Sequence, residues 1–317
     1  MGYALQQLTN GLTLGCTYAL LAVGLSLVMA VINRINLAHG EIFMVTAFCA
    51  ALTYLAQDIL HVGAVVPMLV VALCAAVIWG AVGNWTLNRL VFRPLRRAAS
   101  VSALIATIGV VIVLQEAARL LQGAGNLWQP QLLLGGISIA GPDGFATFIG
   151  YRQLLIMAMT AVVLGAYWGL VARTPFGRAQ RAVAQDPDMA ALLGINVDRV
   201  LGLAFAIAGA FAGIAGLVFA FHYGVVNFVM GFVLGLKAFT AAVLGGIGSL
   251  AGAVLGGIVL AMIETLWSAY FPIEYRDVVT FGVLIAVIVL RPEGLLGRRL
   301  PDAALADLGA RRSVKTL

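Results

Sequence analysis

The sequence predicts an all-α fold, a polytopic transmembrane bundle of about eight to ten spans with glycine-rich, broken helices. Three observations predict it. Of the 317 residues, 62% are hydrophobic and only 10% are charged, whereas soluble domains carry about 25% charged residues. The mean hydropathy is +1.04. The apolar residues also fall into runs of roughly 20, the length that crosses about 30 Å of hydrocarbon at 1.5 Å per residue. Such a chain could not cover its apolar surface in water, which excludes a soluble enzyme, a DNA-binding domain and a disordered scaffold.

In chain order, spans are expected at about 8–33, 37–59, 64–88, 101–121, 153–172, 200–222, 228–247, 249–270 and 276–291. The last is short, and glycines interrupt the seventh and eighth, so full spans and re-entrant half-helices read alike. The opening residues carry no positive charge, so no cleavable secretory signal is expected and the first run stays in the membrane. Residues of about 122–152 contain Gly and Pro with little charge and are expected to form an irregular cap. The domain organisation is a single transmembrane domain over 1–297 followed by a basic tail over 298–317.

The basic residues orient the chain. Arg89, Arg93, Arg96 and Arg97 lie between the third and fourth spans, and Arg173, Arg178, Arg181 and Arg199 between the fifth and sixth. Arg291, Arg298, Arg299, Arg311, Arg312 and Lys315 follow the last span, and Arg34 follows the first. An even number of spans separates successive clusters, so all can share one side, which the positive-inside rule makes the cytoplasm. A cytoplasmic C-terminus, an outside N-terminus and a multi-pass location in a bacterial inner membrane are expected. The net charge of +6 is read as this orientation signal, and no nucleic-acid partner is expected.

Catalytic motifs are missing. A P-loop needs Gly directly before Lys, but the two lysines, Lys237 and Lys315, follow Leu236 and Val314. His39, His61 and His222 are isolated, and no metal site is expected. Cys16, Cys49 and Cys74 sit in three separate apolar stretches and read as small buried hydrophobes. The chain is not expected to be an enzyme.

Three stretches can carry function. In the loop after the fifth span, Asp186 is a good N-cap, Pro187 suits the first helical position, Asp188 complements the helix N-terminus and Gly194 supplies a stop. The short helix so defined places Met189, Leu192 and Leu193 on one face. It either lies on the protein's own cytoplasmic face or docks into a cytoplasmic partner's groove, and docking is the preferred reading. From Gly231 to Gly257, glycines recur, with Gly248, Gly252 and Gly256 in a row that permits close helix packing. A break at Gly245, Gly246 and Gly248 suits a broken helix beside a translocation path, with Lys237 in the same span. Finally, Asn36, His39, Gly40 and Glu41 open the second span at its cytoplasmic entrance, where gate-fixing hydrogen bonds or contact with a solute are the readings. Glu116, Glu264 and Lys237 are further ionisable groups in spans; Lys237 can pair with Glu264 or Glu41, and Arg119 with Glu116 at i+3.

These stretches together resemble the membrane subunits of branched-chain amino acid ABC importers, most closely the smaller, H-type permease. The resemblance is carried by 10–24, Ile35-Asn-Leu-Ala-His-Gly-Glu-Ile-Phe-Met44, Phe176-Gly-Arg-Ala179 through Gly194-Ile-Asn196, Gly235–Ser249 and Arg291-Pro-Glu-Gly-Leu-Leu-Gly297. It implies an importer half-channel that works with a second permease subunit, two cytoplasmic ATP-binding subunits and a periplasmic solute-binding protein. It further implies that ATP is bound by those partner subunits, with no cofactor on this chain. The family's coupling motif maps onto Asp188, Ala190, Ala191 and Gly194, with Met189 where the familiar form often has Glu. Urea or short amides are alternative cargoes within the family. A proton-coupled secondary transporter and a partner-independent channel are the rivals outside it.

Overall fold

The computed structural model describes residues 2–59, 65–96, 98–130, 133, 135–140, 146–291 and 293–297. The expected tail over 298–317, His61 and Arg97 lie outside the described residues. Eleven α-helices are present among those described: α1 (Gly2–Ile32), α2 (His39–Ile59), α3 (Val65–Leu87), α4 (Ser100–Gln122), α5 (Tyr151–Arg173), α6 (Pro175–Gln185), α7 (Pro187–Leu192), α8 (Val197–Tyr223), α9 (Met230–Gly245), α10 (Leu250–Tyr270) and α11 (Arg276–Leu290). Seven of them are long and apolar enough to cross a bilayer, α3 with the π-helical turn Asn88–Phe92 that continues it. At 16 and 15 residues, α9 and α11 are shorter.

The core is α1 with α8, α9 and α10 around it, and α2 and α3 against α8. Lipid tails are as apolar as leucine, so helices in a membrane associate through close packing rather than through escape from water. Small residues provide it here. Gly80 of α3 lies against the Gly209 backbone of α8, Gly213 against Ala76, and Gly257 of α10 against Ala19 of α1. The outer faces of α3, α4, α5 and α11 present Val70, Ile78, Ile112, Val162 and Ile288 outward, as a lipid-facing surface does. Cys74 is on one such outer face and Cys16 and Cys49 are half-buried, so the expectation that all three are core hydrophobes is corrected. A run that is apolar all round does not reveal which side faces lipid.

One end of the bundle collects the arginines. Arg34 donates to the carbonyls of Leu95, Arg96 and Ala98 at 2.6, 2.9 and 2.7 Å, and Arg93 and Arg96 pair with Asp198 at the start of α8. Short helices α6 and α7 join α5 to α8 at this end. The opposite end carries strands where an irregular cap is expected from sequence. β2 (Gly136–Ala140) and β3 (Ala146–Gly150) form an antiparallel hairpin with Ile137 opposite Ile149. β1 (Leu127–Trp128) pairs with β4 (Val225–Val226). The hairpin is held by the start of α1: Thr147 Oγ1 donates to the Gly2 carbonyl at 3.1 Å, and the Phe148 amide to Gln6 Oε1 at 2.8 Å. A lone two-stranded hairpin is marginal, and this one leans on the start of α1, some 140 residues away in the chain, which apolar run length cannot reveal.

A second correction concerns α2. Residues 33–38 are not helical, and Asn33 adopts φ +50°. The chain climbs from Arg34, at the arginine end, into the bundle before α2 begins. Glu41 then reaches Gln115, 15 residues along α4 from Ser100, or about 22 Å. Asn36, His39, Gly40 and Glu41 therefore lie deep within the bundle rather than at an entrance. Irregular backbone is tolerated at such depth where protein surrounds it, and Asn36 and Ala38 are buried.

Candidate functional site

The site is organised around α9, which has a polar cluster on either side. On one face, Lys237 donates to Glu264 Oε1 of α10 at 2.8 Å and meets Asp277 Oδ1 of α11 at 2.7 Å. Arg276 reaches the same Glu264 oxygen at 3.1 Å, and the Tyr18 hydroxyl of α1 donates to Glu264 Oε2 at 2.7 Å. The side chains of Lys237 and Glu264 are only 2% and 3% exposed. Ion pairs enclosed among apolar helices are costly to desolvate and in membranes mark functional positions by default. Four helices thus converge on one carboxylate. A 340 Å³ cavity borders it, lined by Tyr18, Tyr223, Asn227, Leu234, Lys237 and Arg276 among others. Its mouth lies beside the α8–α9 link, at the end away from the arginines.

The other face of α9 is glycine. Gly231 and Gly235 let α2 approach so closely that Gly40 touches the Gly231 carbonyl and the Gly235 Cα. Glu41 Oε1 accepts from Gln115 Nε2 at 3.1 Å, while Oε2 lies against Gly231 with no hydrogen bond. Both side-chain polar atoms of Asn36 are also buried without a partner among the described residues. The His39 ring packs on Gly24 of α1, beside the Leu21 carbonyl but without a well-formed hydrogen bond. Most buried polar groups are satisfied; among the described residues Asn36, His39 and Glu41 depart from that rule together, beside the glycine face of α9. Among the described residues no group of His, Cys, Asp and Glu could hold a metal ion.

Gly245, Gly246 and Gly248 lie away from both clusters, in the tight turn from α9 to α10 at the arginine end. Gly245 contacts the Gly252 backbone, and the Gly248 amide donates to Ser26 Oγ of α1 at 3.0 Å. Gly246 has φ +101° and Gly248 φ +85°, so Gly248 is a turn residue and does not extend the helical row of Gly252 and Gly256. Leu295 and Leu296 donate to the Leu244 and Gly245 carbonyls at 2.8 and 3.0 Å, capping the C-terminus of α9.

At the arginine end, Asp186 Oδ1 accepts from the Asp188 and Met189 amides, both at 2.9 Å, and Gly194 turns the chain with φ +83°. Ala190 is the buried side of α7. Leu192 and Leu193 are 82% and 77% exposed, with Met189 beside them. Among the described residues nothing covers the apolar face of this polar loop.

The family model described as "Branched-chain amino acid transport system / permease component" matches residues 7–288. The chain belongs to this family. It is 40% identical over 296 residues to the high-affinity branched-chain amino acid transport system permease protein LivH of Salmonella typhimurium, covering 93% of this chain and 96% of that one. The corresponding protein BraD of Pseudomonas aeruginosa is 40% identical over 294 residues, with the same coverage of each chain. The LivM permease protein of Escherichia coli is 28% identical over 319 residues, covering 94% of this chain and 72% of that one. No solved structure matches the chain.

Within this permease the residues singled out from sequence separate into three places. Asn36, His39, Gly40 and Glu41 meet α9 on its glycine side, and Lys237 chooses Glu264 over Glu41 on the other. Asp186 to Gly194 stand apart at the arginine end. Glu116 and Arg119 pair with each other on an exposed face at 2.7 Å, a contact worth little. Tyr18, Gln115, Arg276 and Asp277 are further polar residues that bond to the charged groups of these sites. Arg276 and Asp277 sit at the mouth of a span and read as ordinary end charges, and nothing local in the sequence ties Tyr18 or Gln115 to a carboxylate.

Proposed function

We propose that this permease is the membrane-spanning subunit of an ATP-binding-cassette importer that carries branched-chain amino acids inward across a bacterial inner membrane. The observation that carries the substrate is the 40% identity, over nearly the whole of both chains, to relatives named for branched-chain amino acids. Urea and short amides are not favoured by those names. The chain works beside a second permease subunit, with two cytoplasmic ATP-binding subunits that bind all the ATP and a periplasmic solute-binding protein that delivers the solute. Its N-terminus is outside and the arginine end is cytoplasmic, as the positive-inside rule requires.

Closure of the ATP-binding subunits pushes on α7 through Met189, Leu192 and Leu193. Asp186, Asp188, Ala190, Ala191 and Gly194 hold that helix in shape. The push passes through α6 and α8 into the bundle, where α9 slides between its two polar clusters and alternately opens the path to either side. Asn36, His39, Gly40 and Glu41 flank the moving helix, Lys237 rides on it, and Gly245, Gly246 and Gly248 form its hinge. The test is uptake of radiolabelled leucine by proteoliposomes containing the complete transporter. ATP-dependent uptake is expected, and deletion of 187–193 should abolish it while leaving insertion intact. Normal ATP-driven uptake after that deletion refutes the coupling role.

A further inference from the structure

The cavity beside Lys237 and Glu264 has a composition that a mere passage does not require. At 340 Å³ it lies at the small end of ligand sites, which span about 300–1,000 Å³. One side is apolar, with Leu14 of α1, Phe219 of α8, and Met230 and Leu234 of α9; the other is the ion network. That network is neutral overall, Lys237 and Arg276 against Glu264 and Asp277, so a ligand bearing one charge would unbalance it whereas a zwitterion would not.

The charged groups differ in what they have left to offer. Lys237 is engaged by two carboxylates. Arg276, with a side chain 41% exposed, makes both its ion pairs through Nε, at 3.1 Å to Glu264 and 3.7 Å to Asp277. Its two terminal amino groups remain, and that fork matches a carboxylate. Among the described residues Glu264 Oε2 accepts only the Tyr18 hydroxyl, and a carboxylate oxygen has room for a second donor.

We propose that this cavity is an α-amino acid binding site within the permease itself. The α-carboxylate lies on the terminal amino groups of Arg276, the α-ammonium on Glu264 Oε2, and the aliphatic side chain against Leu14, Phe219, Met230 and Leu234. The site rests on the transport reading above and adds that the membrane subunit recognises both charges of its cargo, after the solute-binding protein has released it.

The experiment uses the transporter with its ATP-binding subunits in nanodiscs, without the solute-binding protein, and measures binding of radiolabelled leucine. Saturable binding is expected. Isocaproate and isoamylamine, each lacking one charge, should compete at least about tenfold more weakly than leucine. Arg276→Gln should weaken binding at least about tenfold. Because Arg276→Gln could also loosen α11, Leu234→Phe serves as the second variant: it fills the apolar side, leaves every ion pair intact, and should weaken leucine more than alanine. The site is overturned if assembled Arg276→Gln and Leu234→Phe transporters bind leucine as the unmodified one does, or if the unmodified complex binds none while the complete transporter takes leucine up. Absence of leucine uptake by the complete transporter instead overturns the substrate reading, and the site with it.

Discussion

Lys237 stands between two carboxylates, and the consequence of losing it follows from the charge it leaves behind. In Lys237→Met, Glu264 and Asp277 share only Arg276, so an uncompensated negative charge remains inside the bundle. Breaking a buried pair from one side costs about 3–5 kcal/mol, while removing both partners is far less harmful. Lys237→Met is therefore expected to lower the thermal unfolding midpoint in detergent markedly, and adding Glu264→Gln should recover more than half of the loss. Equal midpoints for the single and double variants would show that the pair is not coupled. Gly40 sets a steric limit of another kind. A methyl group there meets the Gly231 carbonyl and the Gly235 Cα, so Gly40→Ala is expected to force α2 from α9 and cost about 1–3 kcal/mol, read from the same unfolding curves.

At the scale of elements, α7 separates stability from coupling. Leu192 and Leu193 touch little within the chain, so replacing both with Asp should change the unfolding midpoint by no more than about 0.5 kcal/mol requires. The same change should prevent co-purification of the ATP-binding subunits. Asp186→Ala removes both cap hydrogen bonds and costs the helix about 1 kcal/mol, so ATP-driven uptake should fall without complete loss. Retained co-purification in the Asp substitutions would place the contact elsewhere. The cap, the stop at Gly194 and the shared face of this helix were all legible in the sequence because they depend on neighbours within a turn or two. The spans were legible for a related reason: a helix in lipid satisfies its own backbone. The β2–β3 hairpin and the late start of α2 were not, because pairing with the start of α1 and the reach from Glu41 to Gln115 join residues far apart in the chain. The Lys237 site was half legible. Its acid could be narrowed to Glu264 or Glu41, but the contributions of Tyr18, Arg276 and Asp277 depend on how four helices meet.

For the whole molecule, the arrangement of ends is the claim most open to test. Arg34, Arg93, Arg96 and α7 lie at one end, and the hairpin at the other. With Cys16, Cys49 and Cys74 replaced, a cysteine at Ser138 should react with a membrane-impermeant maleimide in intact cells. A cysteine at Leu192 should react only after the membrane is opened. The reverse pattern would invert the orientation and remove α7 from any contact with cytoplasmic subunits.

The cap that Leu295 and Leu296 place on α9 also bears on how the protein is made. The chain leaves the ribosome from its N-terminus, so α9 emerges before the residues that complete its final carbonyls. A chain released at residue 290 would keep every span yet leave the last carbonyls of α9, those of Leu244 and Gly245, without these two donors.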